Sequence, residues 1–317
     1  MTSRPPNGAG AESPERTMLE VALGAAREAA ALQREQAGTL GSDGWSEKGT
    51  SDFVTEVDRE SERLIVDRIR AAFPGDRFLA EEGTEANGNA GPDASAGGEP
   101  PDDGGGRLWI VDPLDGTTNW LHGYPEYAVS IAALDGDGLG IGVVVNSATG
   151  ETFTAIRGRG ARRDDRPIEV SGVSELRLGL FGTGFPFKRS ELIPDYLRVL
   201  GGMLRSTSGV RRGGAAALDL CDVACGRLDG FWEHWLMPWD VAAGALIVRE
   251  AGGTFGTLPA GGIGEPTLSA AAARGVAVAR AFAGGGMRPP ADGAAFTAGN
   301  GRIDDALRRL LEKLLVA

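Results

Sequence analysis

Trp109-Ile110-Val111-Asp112-Pro113-Leu114-Asp115-Gly116-Thr117-Thr118-Asn119 is the stretch on which the fold of this chain turns. An apolar strand delivers Asp112 at its C-terminal end, and Pro113, with no amide hydrogen to donate, breaks the ladder there. Asp115 follows after a tight turn. Gly116 permits an unusual backbone angle or the close approach of a ligand, and Thr117-Thr118-Asn119 suit the first turn of a helix. Two carboxylates therefore converge beside the exposed amides of a helix N-terminus, which favour an anion such as phosphate. A hard divalent cation such as Mg2+ fits the same arrangement, because it takes oxygen ligands and typically uses a couple of carboxylates plus substrate phosphate oxygens. Asp112 is placed to bridge two such ions, with a backbone carbonyl such as that of Leu114 completing the shell.

Taken alone, Asp-Pro and Asp-Gly pairs are ordinary turn formers. Other acids in matching contexts shift the balance. Glu81-Glu82 end the strand RFLA, and Asp240 in PWDVAAG opens a helix whose next residues are small, as close packing under a site requires. Each has a plainer use as well: paired acids are usually solvated, and Asp is a common helix cap.

Working outward, residues 1–16 are polar and rich in Pro and Gly, the composition of a disordered tail, and 17–317 form one catalytic domain. An alanine-rich amphipathic helix covers Thr17 to about Gln36, KGTSDFVTEVD is a loop, and a second helix runs to Ala72 before Phe73-Pro74-Gly75. Residues 83–107 hold no large apolar side chain and are expected to be a flexible insertion. LWIVD, YAVSIAAL, LGIGVVVNS and ETFTAIR are short, β-branched and bounded by Gly or Asp, and predict adjacent strands of one antiparallel sheet. A second cycle follows: strand LGLFGTG, helix Ile193–Met203, strand Thr207–Arg211, helix Gly214–Ala224, strand LDGFWE and helix Asp240–Ala251. Strands at Val276–Phe282 and Phe296–Ala298 and a helix DDALRRLLEKLL close the chain. The sum is a mixed α/β architecture of helix and sheet layers.

The 317 residues carry a formal net charge of -12, 42% hydrophobic and 24% charged residues. Such an acidic chain lacks the cationic footprint that grips a nucleic-acid backbone, so no direct nucleic acid is expected. It suits a phosphate substrate only if some acids hold cations, and surplus acids otherwise solvate the surface. No apolar run spans a bilayer and no signal peptide is evident, so the expectation is cytoplasmic. Cys221 and Cys225 read as core thiols in a reducing compartment. No Ser has an evident His partner; His122 and His234 suit a loop contact and a pocket rim, and Trp232, Trp235 and Trp239 suit core or pocket wall. Arg211-Arg212 suit either a substrate phosphate or a solvated or subunit-contact surface.

The motifs AEEG, WIVDPLDGTTNWLHGYPEYAVSIA and WEHWLMPWDVAAGALIVREAGG resemble successive signatures of the inositol monophosphatase family, from about Thr17 to the AGNGRIDDAL segment. The resemblance implies an αβαβα sandwich of the sugar-phosphatase type, as in inositol monophosphatase and fructose-1,6-bisphosphatase. It also implies a homodimer and two or three Mg2+ per active site. It assigns Glu81, Asp112, Asp115 and Asp240, with the Leu114 carbonyl, to the metals. Thr117, Glu81 and a metal-held water present the nucleophile, and Asp58 pairs with Thr117. Gly116 and Thr117 supply phosphate-binding amides; Gly214, Ala215, Ala216, Glu233 and Asp240 contact substrate. The implied reaction is in-line attack of a metal-activated water on a polyol phosphate monoester such as myo-inositol 1-phosphate. Expected partners are a small phosphate ester and a second copy of the chain, with no membrane.

Three departures from the family pattern stand out: the length of 83–107, the lack of an Asn-Gly turn near Asp164-Asp165-Arg166, and the irregular Gly-rich run 257–295. The alternatives are fructose-1,6-bisphosphatase, histidinol phosphatase, 3′,5′-bisphosphate nucleotidase, or a regulatory protein bound to the transcription machinery. DGTTNW followed by HGYP favours the inositol branch.

Overall fold

The computed structural model describes residues 13–38, 45–49, 52–83, 106–187, 190–257 and 294–316. In chain order its elements are α1 (Pro14–Gln36), β1 (Trp45–Gly49), β2 (Asp52–Thr55), α2 (Glu56–Ala72), β3 (Arg77–Ala80), β4 (Leu108–Asp115) and α3 (Thr117–Leu121). Strands β5 (Ala128–Asp135), β6 (Gly138–Asn146), β7 (Thr152–Ile156), β8 (Ala161–Arg163) and β9 (Arg166–Pro167) follow. The second half holds β10 (Leu180–Thr183), α4 (Ile193–Ser206), β11 (Gly209–Arg211), α5 (Ala216–Ala224), β12 (Gly230–Leu236) and α6 (Pro238–Glu250). It ends with β13 (Thr254–Thr257), β14 (Ala294–Gly299) and α7 (Asp304–Val316).

Strict alternation along the strands sorts the chain into layers. On β4, Trp109 and Val111 face α1 and α2, packing with Ala22, Ala26, Ala29, Ile65 and Ile69. Ile110 between them faces α5 and α6 on the other side. The same division holds on β5, where Val129 and Ile131 point one way and Ala128 and Ala132 the other. A seven-stranded sheet, β3-β4-β5-β6-β7-β8-β9, thus lies between two helix layers. The second sheet, β11-β10-β12-β14-β13, takes α5 and α6 on one face through Phe231, and α4 and α7 on the other through Phe181 and Trp232. The order is helix, sheet, helix, sheet, helix, the αβαβα sandwich expected from the sequence.

The small residues of α6 let it press onto the first sheet. A Cβ on Gly142 of β6 would lie 2.9 Å from the Ala243 carbonyl oxygen, and one on Gly244 would lie 2.6 Å from the Leu220 side chain. Among the described residues no helix is long and apolar enough to cross a membrane.

Several local expectations need revision. Helix α1 begins at Pro14 rather than Thr17, because Pro suits a first helical position. The stretch read as a loop at KGTSDFVTEVD is a hairpin, β1 paired antiparallel with β2, running into the N-cap Thr55 of α2. Asp164 and Asp165 both take positive φ, 47° and 63°, so an Asp-Asp pair makes the β8–β9 turn where Asn-Gly was looked for. Residues 84–105 of the 83–107 insertion, the strand at Val276–Phe282 and nearly all of 257–295 lie outside the described residues.

Candidate active site

The carboxylates meet because strand β4 is irregular. Asp112 and Asp115 are three apart, which on a regular strand places them on opposite faces. Against β5, Asp112 pairs with Ser130 and Asp115 with Ala128, three residues opposing two. This bulge turns both acids to one side. The Leu114 amide donates to Asp112 Oδ1 at 3.0 Å, and Gln33 Nε2 of α1 donates to the Pro113 carbonyl at 2.7 Å. Gly116 then takes φ +90°, and a Cβ there would lie 2.8 Å from the Glu126 carbonyl oxygen.

The other acids are delivered by neighbouring elements. Strand β3 runs parallel to β4 with Ala80 opposite Val111, and the Glu81 amide donates to the Val111 carbonyl at 3.2 Å. The next amide, of Glu82, is held by buried Glu62 Oε2 of α2 at 2.7 Å. Asp240, in the first turn of α6, accepts the Met237 amide at 2.6 Å, and Asp115 Oδ2 accepts the Ala217 amide at the start of α5 at 2.8 Å.

Burial first, then Glu81, Asp115 and Asp240, hold the Asp112 carboxyl well above the usual carboxylate range. Burial and then Asp240 push Asp115 up to about 7, against the amides of Ala217 and Ala216 and the Arg212 charge. Burial, Asp240 and Asp115 push Glu233 up to about 8, again opposed by Arg212. The acids named from sequence therefore lie within electrostatic reach of one another, though far apart along the chain.

Among the described residues no three Asp, Glu, His or Cys side chains are gathered as ligands of one ion. Asp112, Asp115 and Asp240 are each turned onto a backbone amide. The donor set itself fits a hard cation: one buried and three half-buried carboxylates, oxygen only, whose mutual repulsion a positive charge relieves.

Beside the acids stands a hydroxyl–carboxylate pair. Thr117 Oγ1 lies 3.1 Å from Asp58 Oδ1 and 3.1 Å from the Leu114 carbonyl oxygen. Asp58 is buried, and its Oδ2 accepts the Thr55 amide at 2.9 Å and the Thr55 hydroxyl, in the capping box that starts α2. Glu233 lies on β12, next to a bulge between Glu233 and Leu236 where Trp235 takes φ +72°.

Of the substrate-binding residues named from sequence, Gly116, Thr117, Glu233 and Asp240 border the acids. Gly214, with φ +98°, leads through Ala215 into α5, whose first amides are engaged by Asp115. His234, read as a pocket-rim residue, is instead buried, and its Nδ1 has no hydrogen-bond partner. His122 is exposed and Trp232 lies in the core.

Three residues have tertiary roles that the sequence reading did not assign. Asn119 Nδ2 donates to the Glu126 and Gly213 carbonyls at 2.6 and 3.0 Å, tying α3 to the segment before α5. Gln33 braces Pro113. Asp219 is buried on α5, and burial, then Glu233, raises its carboxyl well above the usual range. A lone acid inside the apolar run AALDLC was the one available signal. A separate cavity of about 260 Å³, lined among others by Glu151, Asp222 and Arg227, touches none of the four candidate metal acids.

Residues 15–287 match the model of the inositol monophosphatase family. The Nus factor SuhB of Pseudomonas aeruginosa is 44% identical over 238 residues, covering 74% of this chain and 83% of that protein. The extragenic suppressor protein suhB from Bartonella henselae superposes with a TM-score of 0.73 at 36% identity, over 94% of this chain and 99% of the other. The inositol monophosphatase from Anabaena superposes with 0.71 at 34%, over 95% and 97%. One expectation is overturned here. The partners were confined to a small ester and a second copy of the chain, without nucleic acid or membrane, yet the Pseudomonas aeruginosa relative is named a Nus factor. A net charge averages the whole surface and does not exclude a macromolecular partner at one part of it.

Proposed function

Because the chain belongs to the inositol monophosphatase family, we propose that it is a Mg2+-dependent phosphomonoesterase of small polyol phosphates, myo-inositol 1-phosphate foremost. The observation that carries this reading is that Glu81, Asp115 and Asp240 converge on buried Asp112 and raise its carboxyl, beside the Thr117–Asp58 pair. Glu81, Asp112, the Leu114 carbonyl, Asp115 and Asp240 would hold the cations. When bound, divalent cations lower the pKa of a water and neutralise charge on the leaving oxygen.

The rest falls to the chain. The Gly116 and Thr117 amides orient the phosphoryl group for in-line attack by water. Thr117 Oγ1 accepts a hydrogen bond from that water while its own proton rests on Asp58 Oδ1. As the water oxygen bonds to phosphorus and the bond to the alcohol oxygen breaks, the water's proton passes through Thr117 to Asp58, with Glu81 steadying the water, and the departing alkoxide takes a proton from solvent. Asp58 is aimed by Thr55, so its Oδ2 stays committed to the helix cap and its Oδ1 to Thr117. Glu233 accepts hydrogen bonds from hydroxyls of the alcohol. No covalent phosphoenzyme is needed.

A panel of inositol 1-phosphate, fructose 1,6-bisphosphate, histidinol phosphate and adenosine 3′,5′-bisphosphate, assayed with and without Mg2+, tests this reading. Turnover of inositol 1-phosphate that vanishes on chelation is expected; silence towards every ester at saturating Mg2+ would refute it. The Nus factor name of the Pseudomonas aeruginosa relative supports a second role, attachment to the transcription machinery. Retention of RNA polymerase on the immobilised chain checks that role, and no retention removes it.

A further inference from the structure

Helix α1 buries Met18, Ala22, Ala25, Ala26, Ala29 and Ala30 and then, in its last turn, Gln33, the one polar side chain on that face. Gln33 is fully enclosed, and its Nε2 donates to the Pro113 carbonyl at 2.7 Å and to Ser61 Oγ of α2 at 3.1 Å. A carbonyl only accepts, so the amide must stand with its nitrogen towards β4. Its oxygen is then buried with no partner. A methionine would fill the same space without that orphaned acceptor, and a buried polar atom left unpaired opposes folding. Stability alone does not account for an amide here.

The Pro113 carbonyl is one end of a peptide unit whose other end lies in the site. Pairing between β4 and β5 passes from Asp112–Ser130 to Asp115–Ala128, leaving Pro113 and Leu114 without register partners on β5. In a planar trans peptide the carbonyl and the following amide point opposite ways. Gln33 draws the carbonyl towards α1, so the Leu114 amide is turned the other way, where it donates to Asp112 Oδ1 at 3.0 Å. The main chain of Gln33 secures the far end of the same segment. Its carbonyl, one of those a helix C-terminus leaves unpaired, accepts Trp120 Nε1 at 2.9 Å, and Trp120 is buried beside Leu114. Between the two anchors lie Leu114, Asp115, Gly116 and Thr117.

We propose that Gln33 is a positioning residue for the metal site: it holds the Pro113–Leu114 peptide plane, and with it Asp112 and the Leu114 carbonyl, on whose placement cation affinity depends. The inference rests on the Mg2+ reading above and adds to it a side chain that touches neither metal nor ester.

Isothermal titration of Mg2+ into the full chain, without ester, reads this role directly. Gln33→Met should weaken Mg2+ binding by about 10- to 100-fold, the usual effect of removing a partner that orients a ligand. At saturating Mg2+, kcat for inositol 1-phosphate should fall by about tenfold with KM little changed, since the main-chain bond to Trp120 still holds Gly116 and Thr117. Gln33→Leu, packed differently but equally without a donor, should show the same weakening, and Ser61→Ala, which spares the bond to Pro113, should leave Mg2+ affinity unchanged. Met18→Ala, at the other end of the same buried face, supplies a chain destabilised by core loss alone. If Met18→Ala weakened Mg2+ binding as much as Gln33→Met does, Gln33 would be a packing residue and the proposal would fall. Wild-type Mg2+ affinity in Gln33→Met or Gln33→Leu would also overturn it. Wild type that turned over no ester yet bound Mg2+ at least about tenfold tighter than Gln33→Met would remove the phosphatase reading and leave Gln33 its role. Turnover by wild type with equal Mg2+ affinity in both chains would do the reverse.

Discussion

Asp112 stands where burial and three neighbouring acids act together. It is buried, and Glu81, Asp115 and Asp240 all act to keep it protonated. Asp112→Asn keeps the shape and the Leu114 contact while removing the ionisable carboxyl that a cation would need. We expect turnover to fall by at least about 10²-fold, with a melting temperature of the metal-free chain unchanged or raised. Steady-state kinetics and a thermal melt check both halves. Gly116 makes the opposite demand, a residue chosen for what it lacks. Gly116→Ala adds a methyl against the Glu126 carbonyl at φ +90° and should cost roughly 1–3 kcal/mol, read by chemical denaturation. At this scale the sequence was informative where chemistry is local: DPLDG announces paired acids and a special turn. It was silent on Gln33, Asn119 and Asp219, whose partners lie 80, 94 and 14 positions away at Pro113, Gly213 and Glu233.

Among the elements, α2 couples stability to chemistry through its first turn. Thr55 caps the helix and holds Asp58, which in turn receives Thr117. Thr55→Ala should destabilise the chain by about 0.5–2 kcal/mol, the usual cost of a lost cap. Because Asp58 also loses a donor that aims it, kcat should fall while KM changes little. A Thr55→Ser chain, with the hydroxyl kept, should restore both. Strands were legible where short β-branched runs were bounded by Gly or Asp, as along β4 to β7, and helices where an alanine-rich apolar period ran long, as along α1. The β1–β2 hairpin was not, since WSEKG and DFVT are too short and polar to show a period. Nor could residue spacing reveal that Glu81 and Asp240 approach Asp112. The parallel pairing of β3 on β4 and the press of α6 on the first sheet decide that, and only the family resemblance anticipated it.

Across the whole molecule, the site stores repulsion. Asp112, Asp115 and Glu233 have folded pKa values above their unfolded ones near 4. Without metal, the folded chain holds protons that the unfolded chain has released, so stability declines as pH rises from about 4 to about 8. Thermal melts across that range should show the decline in the presence of a chelator. Mg2+ at one hundred times its dissociation constant should return about 2.7 kcal/mol and flatten the profile. A metal-free profile that rises with pH through this window would contradict the assignment. The irregular pairing of β4 with β5 also decides where this chain can change length. Removing or adding a single residue between Asp112 and Asp115 would send one acid through the sheet to the α1–α2 side, even with every remaining side chain intact. Length between Asp112 and Asp115 is therefore as much a part of the site as the acids themselves, whereas the connection from Ala80 to Leu108 spans 27 residues and meets β4 at its two ends.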